Sequence, residues 1–435
     1  MVKQSLWFRL LLTILTVLTI GLTQSSSTSA ASITSTNLGD EIVISDLSSA
    51  DFRPKIAYNS IHDEYLVVWE SAWAELPGYP HYVYAQRVSA NGRLLDKFLV
   101  ASNINSQQME PAVAYDSIHD RYLVVFTYNS LGDGISWDIY GRFLPWNGPS
   151  SGLLDFAICT WASDQRHPSI AFAQSAQEFL VTWTAVSSGQ PSYISARRIL
   201  SAGGFPAGDA FTVSSGTEYR NFSDVAYNLA QNEYLVTWQI DKGSDNFDIA
   251  GVRLDASGQP LSGGDSYQIG EFSIAGWPDR EILPAVAACH DADQYLVAWQ
   301  SDVGTEGTDY AIYARYLSGG AVLGSIHLVR NTISPQIHAD ISCDAYGTKY
   351  LLTWSEKYAS GASGIWARFA YPVETLDPAF EVVAPGPLTD RLHPTVIGGK
   401  RYFLTAWEHY RDGNTNLDIH GRLIGFFLYL PIVIK

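Results

Sequence analysis

Tyr65-Leu-Val-Val-Trp69 decides the fold, because the chain keeps returning to it. The phrase is an aromatic residue, a short aliphatic run and a second large aromatic. It recurs as Tyr122-Leu-Val-Val-Phe126, Phe179-Leu-Val-Thr-Trp183, Tyr234-Leu-Val-Thr-Trp238, Tyr295-Leu-Val-Ala-Trp299, Tyr350-Leu-Leu-Thr-Trp354 and Phe403-Leu-Thr-Ala-Trp407. The closing aromatics stand 57, 57, 55, 61, 55 and 53 residues apart. Self-similarity at a near-constant period of this size marks a repeat architecture, in which each unit buries its faces only against its neighbours.

Working outward from the first copy, Pro54-Lys-Ile-Ala-Tyr58 precedes it across a polar turn. Val83-Tyr-Ala-Gln-Arg87 and Phe98-Leu-Val-Ala101 follow, the latter after a turn at Asn91-Gly92. These are four short β-rich segments with no helical periodicity between them. The first recurs as Pro111-Ala-Val-Ala-Tyr115, Pro168-Ser-Ile-Ala-Phe172 and Pro284-Ala-Val-Ala-Ala288, its proline expected at the first strand position. The third recurs as Ile139-Tyr-Gly-Arg142, Ile312-Tyr-Ala-Arg315 and Ile365-Trp-Ala-Arg368. The segments are apolar on both faces, as expected of sheets packed between two other sheets.

Seven such units predict an all-β, closed seven-bladed β-propeller of four-stranded blades over residues 40–423, with blade starts near 54, 111, 168, 223, 284, 339 and 394. The last unit holds only three strands. Glu41-Ile-Val-Ile-Ser45, ahead of the first unit, is expected to complete it and close the ring, an open solenoid being the alternative. The YLVxW and IYAxR phrases resemble the β-propeller repeats of secreted bacterial proteins of largely unassigned function. That resemblance spans nearly the whole chain beyond its start. It implies the fold and no particular activity.

Residues 1–30, with Lys3 and Arg9 before the apolar run Leu10–Leu22 and small residues at Ser29-Ala30-Ala31, read as a signal peptide followed by a linker over 31–39. This implies a secreted or cell-surface protein. Residues 424–435 form an apolar tail too short to span a bilayer. The net charge of −17, from 44 acidic and 27 basic residues, argues against nucleic acid and anionic membrane surfaces. Cys159, Cys289 and Cys343 are odd in number. Cys289 and Cys343 fall on equivalent strands of adjacent repeats but one register step apart, hence on opposite sheet faces. Buried free thiols are the expectation.

Residues repeated in every unit are scaffold by that fact. The arginines from Arg87 to Arg422 and the Trp69 column are expected to anchor and fill the spaces between blades. Function should lie where the repeats differ. Trp73, Tyr79, Trp137, Trp161 and Trp277 fall outside the repeated column, in loops expected on one face, and aromatics there suit stacking on sugar rings. The entry points of the blades put Arg53, Glu110, His167, Phe222, Leu283, His338 and His393 around a channel mouth. With Arg166, Arg220, Arg280 and Arg391 nearby, that ring is more basic than the overall charge suggests; solvated polarity at a channel mouth is the expectation, and an anionic or carboxylate ligand the alternative.

Three histidines at a channel mouth could bind a metal, but they sit on blades three, six and seven, and His167 is too far round the ring to meet the other two, so no metal site is expected. Asp241–Asp248 and Arg411–Asp418 are oxygen-rich and admit Ca²⁺, but without a recognised calcium spacing they read as turns, so no cofactor is expected. Gly134-Ile-Ser-Trp137 matches only the end of a sialidase-type Asp-box, and no nucleophile elbow, zinc helix or phosphate loop appears. The expectation is therefore a monomeric binding module for extracellular carbohydrate. A protein-interaction scaffold is the first alternative, and a polysaccharide-cleaving hydrolase or lyase the second.

Overall fold

The computed structural model describes residues 36–426, apart from the short stretches 47–48, 73–79, 103–105, 131–135, 150–153, 204–205, 262–269, 303–309, 320–322, 331, 387–388 and 411–416. The signal-peptide residues, most of the linker, Trp73, Tyr79 and tail residues 427–435 lie outside the described residues.

Seven antiparallel sheets succeed one another along the chain. The first blade runs Ala50–Asn59, Glu64–Ala72, His81–Ser89 and Leu94–Ala101, and the next five repeat this order. Blade six adds a two-residue strand, Thr375–Leu376, ahead of Phe380–Val383. The first strands of successive blades touch, and that of blade seven, Arg391–Gly398, touches that of blade one. This is the ring of a seven-bladed β-propeller. Blade seven is completed by the strand Thr36–Val43, which pairs with Leu417–Phe426. Ile44 N–H then donates to the Ile419 carbonyl at 2.8 Å.

The repeated phrase is the second strand of each blade, buried along nearly its whole length. Trp69, Trp183, Trp238, Trp299, Trp354 and Trp407 are fully buried between blades. The opening aromatic also bonds across the gap: Tyr65 Oη donates to the Tyr402 carbonyl at 2.6 Å, and Tyr350 Oη to that of Gln294 at 2.8 Å. The arginine column does the same from the third strand. Arg197 and Arg315 donate to the carbonyls of Ile158 and Ile274, on the last strands of the preceding blades, at 2.6 and 2.7 Å. Arg142, Arg368 and Arg422 make the equivalent bonds to Val100, Val329 and Val382. In blades one and four, Arg87 and Arg253 turn instead to Glu64 and Glu233.

Two expectations are corrected here. The first strands begin about four residues earlier than their prolines, so Pro54 lies inside Ala50–Asn59. It is tolerated because pairing breaks there: Phe52 pairs with Glu70 and Lys55 with Val68, leaving Arg53 and Pro54 in a bulge that needs no ladder donor. Second, Cys289 and Cys343 form a disulfide, and Cys159 is the buried free thiol. The register step that argued against the bridge is what permits it. Adjacent blades confront each other with opposite faces, so a bridge between them needs one cysteine on each kind of face.

Candidate functional site

The same bulge recurs in every blade, and in each it holds one residue in the left-handed region. These are Arg53, Glu110, His167, Phe222, Leu283, His338 and His393, all with φ between +46° and +55°. None is glycine, so each costs roughly 1–2 kcal/mol. The turned backbone aims the side chain into the central channel. All seven line one cavity of about 540 Å³, together with Lys55, Asp224 and Asp340 deeper in.

In six of the seven blades the amide of the bulge residue finds a side-chain acceptor. It reaches into the preceding blade, to the side chain that follows the closing aromatic of the repeated phrase. Arg53 N–H donates to Glu408 Oε1 at 2.8 Å, Glu110 to Glu70 at 3.1 Å and Phe222 to Thr184 at 3.1 Å. Leu283 donates to Gln239 and His338 to Gln300, both at 3.0 Å. In blade two that side chain is Thr127, and His167 N–H bonds instead to Glu110 itself at 2.9 Å. The sequence carries a signal for this ring of latches. The position after the closing aromatic reads Glu70, Thr127, Thr184, Gln239, Gln300, Ser355 and Glu408, all oxygen-bearing, and all but Thr127 and Ser355 accept from the next blade. Sequence reasoning stopped at the aromatic and missed it.

The mouth is not the basic ring expected from its arginines. Buried Glu70 receives Arg53 Nη1 at 2.8 Å and His81 Nδ1 at 2.6 Å. Burial alone would raise the Glu70 carboxyl, but the His81 hydrogen bond and the Arg53 charge outweigh it and hold it below the usual carboxylate value. Glu110 faces His167 Nδ1 at 3.3 Å and Arg166 at 3.8 Å, while Arg166 also stacks 3.9 Å from the Trp137 ring centroid. Away from the mouth, Arg220 lies 3.7 Å from Glu271 and Arg280 3.4 Å from Asp245. Arg53, Arg166, Arg220 and Arg280 are each answered by a carboxylate, which weakens the field for a free anion.

His393 Nδ1 bonds Glu408 Oε2 at 2.8 Å, and its ring lies against His338 with centroids 3.8 Å apart. Burial, helped by His393, pushes His338 down to about 3, so its imidazole is neutral at physiological pH. His167 packs on Phe222 on the other side, 4.4 Å between centroids. The mouth thus has a polar arc over blades six, seven, one, two and three, and an apolar arc at Phe222 and Leu283.

Of the loop aromatics, Trp137 is buried at the start of its strand and offers no surface platform. It caps Arg166 instead. Trp161 is 41% exposed, in the crossing from blade two to blade three. Trp277 is half-buried and packs edge-on to Tyr313 at 5.0 Å. The oxygen-rich loop Asp241–Asp248 is a tight hairpin, with Ser244 and Asp245 left-handed and Asp241 accepting from Gly243 N–H at 2.8 Å.

No family model matches this chain, and no curated protein matches it in sequence. Solved structures share its fold. Polysaccharide lyase Uly1 superposes over 89% of this chain and 99% of its own, with a TM-score of 0.55 and 7% identity. A fungal alcohol oxidase of the AA5 family, in complex with copper, does so over 90% and 76%, with a TM-score of 0.54 and 11% identity. At these identities the similarity is one of fold.

Proposed function

We propose that the protein binds extracellular carbohydrate, taking one sugar unit into the channel mouth and resting the neighbouring units on the loop face around it. The observation that carries this reading is the mixed lining of the 540 Å³ cavity, a volume in the range of small-ligand sites. The Arg53–Glu70 ion pair and the His393–Glu408 hydrogen bond offer donors and acceptors at the mouth. Phe222 and Leu283 offer an apolar wall to the C–H face of a sugar. Exposed Trp161 and half-buried Trp277 stand on loops at the same end of the blades.

A broad panel of neutral and acidic polysaccharides, titrated against the folded chain, tests this. Saturable binding is expected, weakened about tenfold by Phe222→Ala, the loss of one stacked ring. No binding across the panel by a folded protein would overturn it.

The second reading is cleavage of a glycan. It rests on His393, whose Nδ1 is held by Glu408, leaving Nε2 to take up a proton beside the neutral His338. A polysaccharide lyase with this fold makes that chemistry the one to assay. Release of reducing ends or unsaturated products, abolished in His393→Gln, would establish it.

A further inference from the structure

The strand that closes the ring carries a second cluster, outside the channel. Glu41 lies on Thr36–Val43, His409 on Tyr402–Tyr410 and His420 on Leu417–Phe426. Trp407 pairs with His420 and His409 with Asp418, so both imidazoles stand on one face of blade seven. Their rings are parallel, with centroids 4.1 Å apart and planes inclined by 9°. One nitrogen of each ring and one Glu41 oxygen lie within 4.8 Å of one another. Glu41 Oε1 is 2.7 Å from His420 Nδ1 and 4.0 Å from His409 Nδ1. His420 is buried, and its Nε2 has no hydrogen-bond partner among the described residues.

We propose that Glu41, His409 and His420 form a divalent transition-metal site, of the zinc class, that staples the closing strand to blade seven. Two imidazole nitrogens and one carboxylate oxygen are a donor set for Zn²⁺ and its first-row neighbours. Ca²⁺ and Mg²⁺ prefer oxygen alone. Water completes the coordination. On binding, the proton shared between His420 and Glu41 leaves to solvent and the ion takes its place. Arg391, opposite His409 in the register, balances Glu41 before the ion arrives.

The position gives the site its consequence. Glu41 and His420 are 379 residues apart in sequence, and the ion joins them where the closing strand pairs with blade seven. An ion that binds only the docked strand stabilises the closed ring by mass action.

The test uses the metal-stripped chain, ZnCl₂ as ligand and CaCl₂ as comparator, read by equilibrium dialysis, thermal melting and amide exchange. One zinc per chain, no calcium at the same concentration, a zinc-dependent rise in Tm and slower exchange over Thr36–Val43 are expected. Glu41→Gln and His420→Gln should each weaken zinc binding by more than about tenfold, with circular dichroism confirming that they fold. Co²⁺ added to the unaltered chain reads the ligand set without any variant, as a strong visible band of four-coordinate geometry. Absence of stoichiometric zinc uptake or of that band, or undiminished uptake by both folded variants, would overturn the site. Zinc uptake that leaves exchange over Thr36–Val43 unchanged would overturn the staple.

Discussion

Glu281 shows how much a single carboxyl can feel its place in the ring. It is fully buried at the outer end of a first strand, accepting from Trp277 N–H at 3.2 Å and Ser301 Oγ at 3.4 Å. Burial, opposed by the Trp277 bond but reinforced by Asp248 and Asp279, pushes it up to about 8 from an ordinary 4.5. The folded chain therefore keeps a proton that the unfolded chain releases above pH 4.5, and stability falls as pH rises from 4.5 to 8. Glu281→Gln mimics the protonated form. Above pH 8 it should be more stable than the parent by roughly 2–4 kcal/mol, with a flatter pH profile in guanidinium unfolding. Parallel profiles would show that Glu281 is ionised in the fold. His338 works at the acid end: neutral in the fold and protonated below pH 6.5 when unfolded, it makes stability fall as pH drops from 6.5 toward 3.

At this scale the sequence was legible in part. Alignment of the repeats picked out all seven channel residues, because a periodic chain puts equivalent positions at equivalent places. Their charge state was not legible. The carboxylate that neutralises Arg53 comes from the next strand of its own blade and that facing Arg166 from the preceding blade, and no local pattern ties Glu70 or Glu110 to them. Trp137 was misplaced for a similar reason: its burial follows from Arg166, which stands in the next blade.

Among the elements, the first strand is the least ordinary, and in six blades its bulge is bonded to a side chain from next door. Gln300 Oε1 accepts the His338 amide across the gap between blades five and six. Gln300→Leu should cost about 1–3 kcal/mol, the penalty for a buried donor left unmade, whereas Gln300→Glu keeps the acceptor and most of the stability. Equal losses in denaturant midpoint would show that the latch carries no weight. The strands themselves were readable from alternating aliphatics and turn residues. Their starts were not, because the bulge interrupts the pattern and proline mimics a strand boundary.

For the whole molecule, closure is divided between two places: strand exchange at blade seven, and the Cys289–Cys343 bond between blades five and six. That bond spans 54 residues. Cys343→Ser should lower the unfolding free energy by about 2–4 kcal/mol, and dithiothreitol should lower the parent by the same amount and leave the variant unmoved. A variant as stable as the parent would show that inter-blade packing alone holds that seam. Ring closure was foreseeable from the missing fourth strand of the last repeat. The disulfide was not, because its geometry belongs to the space between sheets and is lost when each sheet is considered alone.

The seven left-handed residues separate two tasks that most binding sites mix. What holds six of them is the backbone together with a neighbour's acceptor. Apart from Glu110, whose carboxylate also latches the His167 amide, what each presents to the channel is a side chain that the latches do not use. A ring of this kind is an interchangeable socket: its seven occupants can be exchanged for others, altering what the channel admits, while the walls that carry them stay as they are.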